Sequence, residues 1–200
     1  MLKTHPCGFR GIAFDFDGTL VDTLHLHYEA YRPVFDCMGL TLSEEQFLSN
    51  IGGKATEAIP LFLAGRRASL AVEEIHQRKK MVVADLFLDA PLHVLPAANF
   101  LPLLAGRLPL ALVSSGSRPG IEQLLNRLGW FDYFKVIVTG EDTTLSKPSP
   151  MPYLLAAEKL GLDPADIAAF EDTVAGIESA KSAGMSVFDV SANNSTLRQP

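Results

Sequence analysis

Cysteine is scarce in this chain, with only Cys7 and Cys37 among 200 residues. Two cysteines cannot build a disulfide framework, and neither sits in a Cys-x-x-Cys or Cys/His array that would hold zinc, so a reducing cytoplasm is expected. Basic residues are outnumbered, 17 Lys and Arg against 23 Asp and Glu, for a net charge of −6. An acidic chain with no long basic run is poorly equipped to grip a phosphodiester backbone, and nucleic acid is not expected as a partner. Long apolar runs are also missing. The longest apolar region, residues 101–115, contains Gly106, Arg107 and two prolines and falls short of the ~18 residues a membrane span requires. The first 25 residues include Lys3, Arg10, Asp15, Asp17 and Asp22, with none of the ~7–15-residue apolar stretches of a secretory signal. No internal repeat or low-complexity segment is visible, and Ser191–Pro200 is polar enough to be a loose tail.

What is present is ordinary for a globular protein: 48% hydrophobic and 20% charged residues, which excludes a disordered or fibrous chain. The length exceeds a typical ~150-residue domain, so one large domain or a domain with a small insertion is expected. Such a chain buries roughly 70% of its unfolded surface. A monomer is expected.

Five short apolar runs read as buried strands: 11–16, 108–113, 135–139, 166–170 and 185–190. The last four are separated by segments of helical length, 120–128, 150–160 and 173–183, and such alternation implies a parallel sheet covered on both faces. Pro150, Pro152, Gly161 and Gly184 stand where proline opens and glycine closes a helix. Between the first and second strands lie about 90 residues, far more than the ~10–12 of a minimal crossover. Amphipathic stretches at 25–38, 43–50, 54–65 and 70–88 fill that gap. The reading is an α/β protein: a Rossmann-like five-stranded core formed by residues 1–23 and 91–200, with an inserted helical cap at 24–90.

In a parallel α/β sheet, ligands sit beyond the carboxyl ends of the strands. The first strand ends in Asp15-Phe16-Asp17-Gly18-Thr19, and its period of two turns both carboxylates to one side. The fourth ends in Ala169-Phe170-Glu171-Asp172. If the two strands are neighbours, four carboxyl groups crowd one volume, which is unfavourable without a cation. Hard oxygen ligands with no histidine or cysteine select Mg²⁺. The blander alternative is that each aspartate forms a turn or caps a helix; recurrence on two strands argues against it. The second strand ends in Val113-Ser114-Ser115-Gly116-Ser117, a hydroxyl and backbone N–H groups at a helix start, which suits an anion. Lys147, in the loop after the third strand, is a point charge suited to phosphate.

Asp15-Phe16-Asp17-Gly18-Thr19-Leu20-Val21-Asp22-Thr23, then Ser114, Lys147-Pro148, and Glu171-Asp172 with Gly176 and Ala183-Gly184-Met185, together resemble the haloacid dehalogenase-like superfamily. The motifs occur in that superfamily's order across the whole sheet domain. The inserted helices resemble its helical cap, and the branch is similar to β-phosphoglucomutase and the small sugar-phosphate phosphatases. The resemblance implies that Asp15 is the nucleophile, forming an aspartyl-phosphate, and that Asp17 is the acid and then the base, protonated while Asp15 is ionised. It also implies Mg²⁺ held by Asp15, the backbone carbonyl of Asp17, Glu171 and Asp172. Ser114, with Ser115 as the alternative, would bond a phosphoryl oxygen, and Lys147 would neutralise developing charge. Asp17 separates the chain from the carbon-attacking dehalogenases, which lack a second aspartate.

For the substrate, the resemblance points to Thr23, His27 and Lys79, against the plainer readings of a helix histidine and a solvated basic face. The branch's cap arginine, which grips a distal phosphate, is not evident. Gly52-Gly53-Lys54-Ala55-Thr56 occupies that region, and Lys54 can substitute only as a point charge. A mutase must hold a phosphosugar at both ends, so the missing clamp and Thr19 favour hydrolysis. The expectation is a Mg²⁺-dependent phosphatase for a small phosphorylated metabolite, with β-phosphoglucomutase as the alternative and a phosphate-accepting binding module as the reading from another class.

Overall fold

A computed structural model of the chain describes residues 8–50 and 55–191. The elements run β1 (Gly11–Phe14), β2 (Val21–Asp22), α1 (Leu24–Asp36), α2 (Glu44–Leu48), α3 (Ala55–Leu63), α4 (Val72–Asp89) and β3 (His93–Val94). A 3₁₀ turn at Pro96–Phe100 leads into α5 (Leu101–Leu104), followed by β4 (Leu110–Val113), α6 (Arg118–Leu128), β5 (Val136–Val138) and α7 (Met151–Leu160). The described chain closes with β6 (Ile167–Glu171), α8 (Val174–Ser182) and β7 (Ser186–Asp189). Lys54 and the polar tail beyond Ser191, both singled out above, lie outside the described residues.

The five expected strands form one sheet in the order β5-β4-β1-β6-β7, and every neighbouring pair is parallel. Alternation along β1 and β4 separates two cores. Ile12, Phe14, Leu110 and Leu112 join Ile121, Leu124 and Leu125 of α6 on one face. Ala13, Ala111 and Val113 meet Tyr153, Ala156 and Ala157 of α7 on the other. The small side chains on the second face leave room for Tyr153, which is fully buried.

Local chemistry fixes the ends. The Thr173 hydroxyl accepts from the Gly176 amide at 3.1 Å to cap α8, and the Ser43 hydroxyl accepts from Gln46 N at 3.1 Å to cap α2, each supplying a partner to an orphan N–H of the first turn. Helix α6 begins at Arg118, two residues earlier than the periodicity suggests, because Pro119 occupies its first turn without loss of a bond.

A two-stranded ribbon is the element that periodicity does not reveal. Val21 pairs with Val94 and Asp22 with His93, antiparallel, so the chain leaves for α1–α4 and returns from them through adjacent strands. The four helices have a core of their own, in which Tyr31, Phe35, Phe47, Ile59, Phe62 and Ile75 pack together. Tyr31 and Phe62 meet edge-on with ring centroids 5.1 Å apart. Phe62→Ala removes the ring at its centre, 1% exposed, and is expected to cost ~3–5 kcal/mol in urea unfolding. A cost under ~1 kcal/mol is incompatible with this packing.

Candidate active site

The carboxyl ends of β1 and β6 lie side by side, since Phe14 is in register with Phe170 and the Asp15 amide bonds Phe170 O at 3.0 Å. Past Asp15 the chain turns sharply, with Gly18 N donating to Val21 O at 2.8 Å and Leu20 N to Phe16 O at 2.9 Å. Gly18 adopts φ +87°, and a Cβ there would collide with the Asp172 carboxylate. The turn therefore needs glycine on two counts, backbone and space.

Lys147 stands at the centre. Its ammonium donates to Asp15 Oδ1 at 2.7 Å, Glu171 Oε1 at 2.5 Å and Val113 O at 3.0 Å, using all three of its protons. Burial works against its charge, but the two carboxylates outweigh burial and raise its pKa. Glu171 is wholly buried and hydrogen-bonded at both oxygens. Tyr153 Oη donates to its Oε1 at 2.8 Å, while Asp172 N and Thr173 Oγ1 donate to Oε2, each at 3.2 Å. Gly176 leaves the space, since a Cβ there would overlap the Glu171 carboxylate. Thr19 Oγ1 donates to Asp172 Oδ1 at 3.2 Å.

One carboxylate oxygen each from Asp15, Glu171 and Asp172 lie within 4.8 Å of one another. Three converging hard oxygens with mutual repulsion are a donor set that fits Mg²⁺. That repulsion is visible at Asp15, where burial first, and then Glu171 and Asp172, push its pKa up despite Lys147. The cluster holds three carboxylates rather than the four expected. Strand β1 ends at Phe14, so Asp15 and Asp17 lie in the following turn and the period of two no longer aligns them.

The Asp17 carboxylate instead accepts from the hydroxyl of Thr23, from Ser114 Oγ at 3.3 Å, and faces His27 Nε2 at 3.4 Å. Behind it, Lys79 Nζ lies 2.6 Å from His27 Nδ1. Burial tends to raise the Asp17 pKa, but His27, Thr23 and the Lys79 charge overcome it and lower the value. The protein's own groups thus set Asp15 high and Asp17 low, the reverse of the expected polarity. The reason is that basic groups of α1 and α4 reach Asp17, while burial and the neighbouring acids dominate at Asp15.

Lys79 is not part of a solvated face. It is 7% exposed, and burial lowers its pKa to about 8. Burial, with Lys79 next, also lowers that of His27. Ser114 is buried and accepts from Gly116 N at 2.9 Å, whereas Ser115 lines a cavity of about 260 Å³ together with Asp15, Asp17, His27, Lys79 and Lys147. Tyr153 and Thr173, which hold Glu171, escaped the sequence reading: Tyr153 fits the apolar stripe of α7, and Thr173 reads as the first residue of a helix.

The sequence matches the profile of haloacid dehalogenase-like hydrolases over residues 12–190. The chain belongs to that family. This hydrolase is 34% identical to a phosphorylated carbohydrates phosphatase of Thermotoga maritima over 88% of its length and 82% of the relative's. It is 32% identical to the fructose-1-phosphate phosphatase YqaB of Escherichia coli, over 91% and 96%. Its fold is similar to that of CbbY from Rhodobacter sphaeroides in complex with phosphate, with a TM-score of 0.82 and 29% identity, covering 90% of this chain and 84% of that one. Among the described residues no helix is long and apolar enough to cross a membrane.

Lys79 links the site to stability. Its pKa is lower folded than unfolded, so the cost of burying its charge is present below pH ~8 and fades as pH rises toward 10.5. In that window the unfolded chain holds the proton more tightly, and stability rises by up to ~3 kcal/mol from this group. The stability difference between Lys79→Met and the wild type, from urea unfolding, should therefore shrink between pH 7.5 and 10. A constant difference contradicts the assignment.

Proposed function

We propose that this hydrolase is a Mg²⁺-dependent phosphatase of small phosphorylated sugars, acting through an aspartyl-phosphate on Asp15. The observation that carries the reading is the convergence of Asp15, Lys147, Glu171 and Asp172, with Asp15 and Lys147 lining a cavity that residues of α1, α3 and α4 also line. Two of the proteins named above are a phosphorylated carbohydrates phosphatase and a fructose-1-phosphate phosphatase, which supports the substrate class. Residues 24–90 act as the cap and the remainder as the catalytic core. The scarcity of cysteine supports a cytoplasmic enzyme.

The metal would be held by Asp15, Glu171 and Asp172 with the backbone carbonyl of Asp17, and supplies positive charge to the phosphoryl oxygens. Asp15 attacks phosphorus in line, expelling the alkoxide of the substrate. Lys147 opposes the rise in the Asp15 pKa and neutralises the charge that spreads over the transferring group. Ser114 and Ser115, with the amides at the start of α6, bind phosphoryl oxygens. Asp17 delivers the leaving group's proton and then takes one from the hydrolytic water. Its lowered pKa suits the second task. For the first, the line from Lys79 through His27 to Asp17 supplies the proton, with Thr23 fixing the carboxylate's orientation.

In an assay with p-nitrophenyl phosphate, Mg²⁺ should support phosphate release and a chelator should remove it. Asp15→Asn should lower turnover at least ~10⁴-fold, and Asp17→Asn by ~10²–10⁴, the usual yield of acid–base catalysis; wild-type turnover by Asp15→Asn would refute the mechanism. A second assay, with sugar phosphates scored for both free phosphate and isomerised product, tests the substrate side. Phosphate release is expected. Conversion of β-glucose 1-phosphate to glucose 6-phosphate without release would make the enzyme a mutase.

A further inference from the structure

The cavity is polar at its catalytic floor and largely apolar above it, where Tyr31, Phe47, Phe62, Val83 and Phe87 contribute to the wall. Among the polar lining residues with no part in the chemistry described so far are His76, Lys80 and Glu141. His76 and Lys80 are four apart on α4 and share a helix face. Glu141 comes from the opposite side, in the loop after β5. Its Oε2 is fixed to the core, accepting from Arg118 N at 2.7 Å and Thr139 Oγ1 at 3.2 Å. Its Oε1 faces the cap, 3.6 Å from Lys80 Nζ, which is longer than a hydrogen bond and leaves both groups with unused capacity. His76 Nδ1 is buried and has no partner at all, a condition that costs ~1–3 kcal/mol in a folded protein.

The charges at this wall discriminate between ligands. Burial lowers the pKa of His76, Lys79 and Lys80 add to that, and Glu73 and Glu141 oppose it, so the ring is neutral at pH 7. The wall therefore presents one neutral imidazole, one cation and one carboxylate. A hydroxyl group can accept from the ammonium and donate to the carboxylate at once. A second phosphate or a carboxylate gains from Lys80 but is repelled by Glu141, whose position the core holds.

We propose that His76, Lys80 and Glu141 form a distal subsite that reads the hydroxyl groups of a sugar or polyol monophosphate and rejects substrates bearing a second anionic group. The proposal rests on the phosphatase reading above and specifies the substrate of that site.

Fructose 1-phosphate and fructose 1,6-bisphosphate differ only in the second phosphate, and p-nitrophenyl phosphate carries no sugar hydroxyl. With Mg²⁺, the wild type should show at least tenfold higher kcat/KM for the monophosphate than for the bisphosphate. Glu141→Gln, which can still accept from Arg118 N, should narrow that preference at least fivefold by improving the bisphosphate. His76→Leu should lower kcat/KM for fructose 1-phosphate at least tenfold more than for p-nitrophenyl phosphate, with a Tm equal to or above the wild type because a buried unpaired nitrogen is removed. A purely structural role for His76 would instead lower Tm and reduce both substrates alike. Equal effects on both substrates, or a wild-type preference for the bisphosphate, overturn the subsite while phosphate release from p-nitrophenyl phosphate leaves the phosphatase reading standing. No phosphate release from any of the three overturns both.

Discussion

A lysine ammonium buried between two carboxylates organises this molecule. Lys147 comes from the loop after β5, Asp15 from the end of β1 and Glu171 from the end of β6, and the three meet where water is almost excluded. In such a place a charge is tolerable only when its partners are positioned before it arrives, and leaving one unpaired costs ~3–5 kcal/mol. The surrounding composition answers that demand. Gly176 gives up a side chain so that Glu171 can lie over the start of α8, Gly18 takes a left-handed backbone beside Asp172, and Tyr153 spends its hydroxyl on Glu171. These are features of support rather than of reaction, yet without them the acids would neutralise or swing apart.

Two aspartates in one turn have been given opposite surroundings. Asp15 looks into the acid cluster, Asp17 toward His27 of α1 and Lys79 of α4. Environments that drive two neighbouring carboxyls apart in acidity are the usual means of dividing labour between a nucleophile and a proton carrier. Here the division also ties Asp17 to the inserted helices, because the groups that tune it belong to α1 and α4. The Asp17 environment is complete only when those helices stand over the sheet.

The sheet, its strand content and the insertion were legible because they rest on short-range patterns: apolar runs of strand length, glycine and proline at helix ends, and too many residues between the first two core strands. Asp15, Lys147, Glu171 and Asp172 were legible because strand ends in a parallel sheet point to one edge. What stayed hidden depends on contacts between distant segments. The β2/β3 ribbon is two residues per strand, below any periodicity. Tyr153 looks like core because it is core, and only its hydroxyl takes part in the acid network. The separation of Asp17 from the carboxylate cluster follows from β1 stopping one residue before Asp15, a boundary that alternation cannot locate. Lys79 sits among Arg78 and Lys80 as if solvated, and burial at that one position comes from helix packing.

The ribbon has a mechanical consequence. Because both chain crossings between the helices and the sheet run through one pair of bonded strands, a rigid swing of the helices pivots on residues 21–22 and 93–94. Displacement then grows with distance from that pivot. His27, one turn along α1, travels least, while Glu57 and Lys80, which meet Ser146 and Glu141 across the rim, travel most. Glu57 with Ser146 and Lys80 with Glu141 are thus the contacts that such a swing would part.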